Sequence, residues 1–116
     1  MVLNLALYEN SGATISTTEF SLVNASTSIA AVTTDAVVQV WIDFVNMVAG
    51  DEYEVAVQEK IYAAGSQKRR VIANLVGAQP EFFFADLGLL GNGWDVTCKR
   101  IAGADRSVSW SIRAVT

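Results

Sequence analysis

Val37-Val38-Gln39-Val40-Trp41-Ile42-Asp43-Phe44 is followed by Val45-Asn46-Met47-Val48-Ala49-Gly50-Asp51 and then by Glu52-Tyr53-Glu54-Val55-Ala56-Val57-Gln58-Glu59-Lys60-Ile61-Tyr62. Val38, Val40, Ile42 and Phe44 recur at every second position. Tyr53, Val55, Val57 and Ile61 share a second such phase. A period of two is the side-chain repeat of a β-strand, because successive Cβ atoms point to opposite faces. Asn46 and Gly50-Asp51 supply turn chemistry between the two runs. The stretch therefore reads as a long central hairpin, and it predicts an antiparallel all-β protein.

The same pattern extends in both directions. Val2 to Tyr8 reads as a first strand with Leu3, Leu5 and Leu7 on one face, and Asn10-Ser11-Gly12 as a turn. Ala13 to Val23 alternates loosely around Ile15, Phe20 and Leu22. Its break between Thr18 and Phe20 marks a bulge or a change of sheet. Asn24-Ala25-Ser26 turns the chain into a short strand over Thr27 to Val32. Downstream, Lys68 to Val76 and Glu81 to Leu87 read as strands on either side of Gly77-Ala78-Gln79-Pro80. Gly88 to Gly93 is a glycine-rich connection. Trp94 to Ile101 and Arg106 to Val115 form a final hairpin across Ala102-Gly103-Ala104-Asp105. Eight to nine short strands at this spacing predict one domain over residues 1–116. Its expected form is an antiparallel two-sheet β-sandwich with jelly-roll-like or Greek-key connections.

A chain of 116 residues buries roughly two-thirds of its unfolded surface, enough for one core without staples. Apolar residues make up 52% and charged ones only 17%, against about 25% charged in an ordinary domain. Such a chain is expected to cover part of its apolar surface with another subunit or a partner. Residues 1–59 contain eight acids and no Lys or Arg, whereas residues 60–116 contain eight basic residues and four acids. Two readings follow. Strands of the two halves lie side by side and cancel, or acidic and basic faces meet between molecules. The net charge of −4 argues against nucleic acid as a direct partner. No run of about 20 apolar residues could span a membrane, and Met1 to Leu5 lacks the basic and apolar regions of a signal peptide.

Catalytic constellations are sparse. The chain has no histidine, which removes Ser-His-Asp and Cys-His arrangements. Cys98 stands alone, in strand phase with Val96, and reads as a buried small hydrophobe rather than a reactive thiol. Asp43, Asp51, Glu52 and Glu54 flank the central turn, where carboxylates can hold calcium, but the EF-hand spacing is absent. Gly88 to Gly93 lacks the Lys-Ser/Thr of a phosphate-binding loop. No cofactor, no metal and no enzymatic activity are expected.

The interaction candidates are more specific. Phe82-Phe83-Phe84 cannot all enter one core, because adjacent strand residues face opposite ways. Either that strand is covered on both sides or an aromatic is exposed, as at interface centres. Leu89 and Leu90 follow closely, and Lys68-Arg69-Arg70 is the one basic run. These eight residues are the expected partner contacts. Trp41, Trp94 and Trp110 invite sugar stacking but read better as packing residues.

Three segments carry a resemblance. They are Val40-Trp41-Ile42-Asp43-Phe44-Val45-Asn46-Met47 with Gly50-Asp51-Glu52-Tyr53-Glu54, then Gly93-Trp94-Asp95-Val96-Thr97, then Lys99-Arg100-Ile101-Ala102-Gly103-Ala104-Asp105-Arg106-Ser107 with Trp110-Ser111-Ile112-Arg113. Over about Thr17 to Arg113 the chain resembles small virion proteins of tailed bacteriophages, a group whose shared motifs describe turns and strands rather than an active site. The resemblance implies a virion location and a capsid decoration (cement) role on the outer shell after assembly in the host cytoplasm. The implied partners are the major capsid protein or other virion proteins and further copies of the chain. Within the same class stands a tail or neck component, and outside it a carbohydrate-binding module for host attachment.

Overall fold

The computed structural model describes residues 4–116, so Val2 and Leu3 of the expected first strand lie outside the described residues. Eight strands follow: β1 (Leu5–Ile15), β2 (Phe20–Ser21), β3 (Ala36–Asp43), β4 (Glu52–Lys60), β5 (Gln67–Val76), β6 (Phe83–Leu90), β7 (Asp95–Ala102) and β8 (Arg106–Val115). They form two antiparallel four-stranded sheets, in the orders β1-β8-β3-β6 and β2-β7-β4-β5. This is the strand order of an eight-stranded jelly roll.

The order has a simple origin. β1 pairs with β8, β2 with β7, β3 with β6 and β4 with β5. The chain thus doubles back into one long ribbon with its tip at residues 61–66. Wrapping that ribbon brings β3 against β8 and β4 against β7. Every ladder therefore joins a strand from the acidic half of the sequence to one from the basic half. Arg69 of β5 lies 2.7 Å from Glu19 and also grips Glu54, and Arg106 of β8 lies 2.8 Å from Asp51. Two of the eight basic residues thus pair with acids of the other half inside the molecule.

Both expected hairpins around the core are instead corners between sheets. β3 and β4 lie in different sheets, as do β7 and β8. Period two tells which side chains share a face, but it does not say which strand supplies the hydrogen bonds. Phe44 and Met47 are buried, so the chain from β3 crosses the end of the core instead of turning back on itself. Asn10-Ser11-Gly12 is a bulge within a continuous β1, with the Gly12 amide donating to Asn10 Oδ1 at 2.9 Å. Residues 27–32 form no strand; single bridges join Ser21 to Ser26 and Val32 to Trp94. The break before Phe20 is a change of sheet, from β1 to β2. β6 continues through Gly88, whose positive φ of 64° accompanies a register shift opposite Val38 and Gln39.

The core is filled by the inward phases that the sequence marks. Val38, Val40 and Ile42 face Tyr53, Val55, Val96 and Cys98 across the sandwich, with Val108, Trp110 and Ile112 beside them. Trp94 and Trp110 are buried, and their indole N–H groups donate to the carbonyls of Thr34 (3.0 Å) and Leu22 (2.8 Å). Burial pushes the Cys98 thiol far above its usual range.

One end of the sandwich is tied by Asp51 and Tyr53. Asp51 accepts from Arg106 Nε (2.8 Å) and from the amides of Val48 (3.0 Å) and Ala104 (3.1 Å). These donors, Arg106 first, hold its carboxyl down at about 2. Gly103 sits against it with φ 87°, and a Cβ there would lie 2.1 Å from Asp51 Oδ1. The Tyr53 hydroxyl accepts from the Arg106 amide at 2.7 Å, with the carbonyls of Ala104 (2.9 Å) and Ile15 (3.2 Å) available to its proton. The two corners are thereby locked to each other. At the opposite end, Asp95 is fully buried and accepts from Ser21 Oγ (3.0 Å) and from the amides of Ala30 (2.9 Å) and Val96 (2.8 Å). Burial outweighs these donors and pushes its carboxyl up to about 6.

Two predictions follow from the two ends. Tyr53→Phe strands the Arg106 amide and lowers stability by about 1–3 kcal/mol in urea unfolding. Because the folded state holds the Asp95 proton more tightly than the unfolded chain does, stability rises as pH falls from 7 to 5 and is lost as pH climbs back through 6. The gain from this group is about 1 kcal/mol over that window, and the slope flattens in Asp95→Asn.

Candidate interaction surface

Each strand of the β1-β8-β3-β6 sheet sends alternate residues outward, and register sets them in rows. The first row is apolar across all four strands: Leu5 opposite Val115, Val115 opposite Val37, and Val37 opposite Leu89. The second row runs Leu7, Arg113, Gln39, Asp86, and the third Glu9, Ser111, Trp41, Phe84. Leu5, Leu7, Val37, Phe84 and Leu89 are all exposed, Leu89 at 73%. A sheet face turned to water ordinarily alternates apolar-in with polar-out. Here a continuous apolar row lies on the outside, where only another surface can cover it.

Beside the row, Trp41 lies on the outer face rather than in the core. The Arg113 guanidinium stands 3.7 Å over its ring, and Phe84 packs against it with centroids 4.8 Å apart. Such stacking holds the ring in place. A shallow groove of about 220 Å³ runs past Trp41, lined also by Asn10, Asp43, Phe82, Ser109 and Ser111.

The structure divides the eight sequence-predicted contact residues among four settings. Phe84 and Leu89 stand on the outer face, and Phe82 is exposed at the groove. Phe83 turns inward and packs, partly buried, against the core, and Leu90 is buried at 5% exposure. Arg69 is held by Glu19 and Glu54 on the outer side of the other sheet. Lys68 and Arg70 line a second, larger cleft between β5 and β6. The phenylalanine run is thus divided by strand alternation, two rings out and one in. The sequence reading did not include Leu5, Leu7, Val37 and Val115. Their signal was present as apolar residues in the outward phase of β1, β3 and β8, but it becomes a row only once the register is known.

The four carboxylates of the central turn are engaged internally. Asp51 holds Arg106, Glu54 holds Arg69, Glu52 accepts from Asn74 Nδ2 at 2.8 Å, and Asp43 accepts from the Val45 amide at 3.0 Å. They point to separate partners instead of converging on one point.

Comparison with protein-family models, with curated proteins and with solved structures found no match.

Phe84→Ala removes a half-exposed partner of Trp41 and should cost about 1 kcal/mol. Phe83→Ala empties a core-facing position and should cost about 2–3 kcal/mol. Denaturant melts of the two variants check the difference.

Proposed function

We propose that this chain is a non-enzymatic structural protein of a bacteriophage virion, a capsid decoration (cement) protein that binds the outer shell and stabilises it. The observation that carries the reading is the apolar row Leu5–Val115–Val37–Leu89 on the outer face of one sheet. It is supported by the resemblance of the three segments described above to small virion proteins. The internal use of Asp51, Asp95 and the Arg69 cluster also favours a structural role, since these charged groups already have partners within the fold. In this mechanism the outer face lies on the shell, and its Trp41–Arg113–Phe84 stack supplies a rigid edge to the contact. Each contact is modest, but many copies bridging neighbouring shell subunits add up against internal pressure. Further copies of the chain and the major capsid protein are the partners in this reading. A tail or neck component would use the same face.

A carbohydrate-binding module is the reading from another class, and the groove beside Trp41 with Asn10 and Asp43 is the observation in its favour. Against it, Arg113 stands 3.7 Å over the Trp41 ring, on a face where a sugar would stack, and Phe84 packs against the ring at a tilt of 57°.

The test is co-sedimentation of the purified protein with shells that lack it, followed by cryo-electron microscopy. The decoration reading expects regular density with the β1-β8-β3-β6 face toward the shell. It also expects Val37→Glu to weaken binding by about tenfold or more while the melting temperature holds. Absence of shell binding, or binding that Val37→Glu leaves intact, counts against it. Binding to a glycan array in place of shells would favour the module.

A further inference from the structure

Trp94 and Val96 lie in the core, so strand alternation turns Asp95 between them to the outer face of the β2-β7-β4-β5 sheet. Asp95 is nevertheless fully buried. Its cover is the segment Val23–Ala31, which leaves β2 and folds back over the start of β7. Backbone bonds fix both ends of the segment: the Leu22 amide donates to the Val96 carbonyl and the Val32 amide to the Trp94 carbonyl, each at 2.9 Å. The first part of the segment is a largely exposed turn closed on Ser21, which bridges Ser26 and whose Oγ accepts from the Asn24 amide at 3.0 Å. Ala30 is pinned from both sides. Its amide donates to Asp95 Oδ2 at 2.9 Å, and its carbonyl accepts from Gln67 Nε2 at 2.9 Å. The same Gln67 nitrogen donates to the Gly93 carbonyl at 2.8 Å.

We infer that Val23–Ala31 is a pH-governed strap that opens as a unit while the two sheets stay paired, with Asp95 as the latch that holds it at Ala30. A segment with few buried apolar contacts opens at lower cost than the strands beneath it. In this one Ala30 is buried and Val23 partly so, while Ile29 is exposed. Opening returns Asp95 to water, because the strap is what covers it. The closed strap holds the carboxyl up at about 6, burial outweighing its donors, and release returns it to the ordinary value of about 4. A proton therefore binds the closed form more tightly. Acid favours closure, and that advantage is lost as pH climbs through 6. The charged side chains on the same face are Glu52, Glu54 and Lys60 of β4, Arg69 of β5 and Lys99 of β7, with Glu19 reaching over from the chain before β2. None of them donates to Asp95, whose partners are Ser21, Ala30 and Val96, and Arg69 is held by Glu19 and Glu54. The strap itself carries no charged residue. The proton that closure takes up thus resides on Asp95.

Hydrogen–deuterium exchange of the free protein, corrected for the intrinsic pH dependence of exchange, tests this. The Ala30 amide should exchange faster than the paired amides of β3 and β8, and its protection should fall about tenfold between pH 5 and pH 7. Asp95→Asn should remove that pH step. Gln67→Leu, which cuts the second pin and leaves the carboxylate in place, should raise strap exchange at both pH values and keep the step. Should Asp95→Asn fail to fold, the Asp95 carboxyl resonance followed by NMR in the parent replaces it, and its midpoint should coincide with the step at Ala30. An Ala30 amide as well protected as β3 and β8 overturns the inference, because the segment then opens only with the whole fold. A pH step that survives Asp95→Asn, or that departs from the Asp95 midpoint, overturns it as well.

Discussion

The pairing of the two chain halves into a single ribbon is the constraint on which the rest depends. Leu5 pairs with Val115 and Lys60 with Gln67, so one ladder system runs from the chain's outermost described strands to its middle. Only the tip of this ribbon is local. Its other end closes a loop of nearly the whole chain, which is entropically costly before any contact rewards it. The charge pattern opposes wrong pairings. Strands of the acidic half lie beside strands of the basic half, so mispairing two acidic strands would set like charges opposite one another.

Wrapping the ribbon into two sheets creates corners, and the corners are where polar groups are buried. Asp51 and Tyr53 reach from the β3–β4 corner and β4 to the β7–β8 corner, satisfying amides that would otherwise be left without water. Gly103 permits that approach because any Cβ would occupy the place of the Asp51 carboxylate. Asp95 performs a related task at the opposite end, where it gathers Ser21 and the amide of Ala30 from the loop beyond β2. The two buried acids respond to pH in opposite senses, since one is surrounded by a cation and amides and the other is dominated by burial.

Two surfaces remain without an internal partner among the described residues. One is the apolar row across the outer face of the β1-β8-β3-β6 sheet, and the other is the open side between β5 and β6. They meet at Leu89, which belongs to both.

The strand content, the inward phases and the two-sheet class were legible in the sequence, because side-chain alternation is a local property of the backbone. Val38-Val40-Ile42, Trp94-Val96-Cys98 and Val108-Trp110-Ile112 lie in the core as their spacing indicates. The division of Phe82, Phe83 and Phe84 between faces was also implied, though which ring turned inward was not. Partner choice was not legible. Hydrogen-bonded neighbours are selected by long-range packing, so the runs around Asn46–Asp51 and Ala102–Asp105 looked like hairpin turns and are sheet-crossing corners. The apolar row of Leu5, Val115, Val37 and Leu89 comes from four strands far apart in the chain, and the cleft at Lys68 and Arg70 from two strands that do not pair. The sequence alone determined which residues share a face; that Leu5, Leu7 and Trp41 face outward was decided by the fold. Only the tertiary structure decided which outward residues became neighbours, because register and sheet order arise from closing the ribbon and not from any local run of residues.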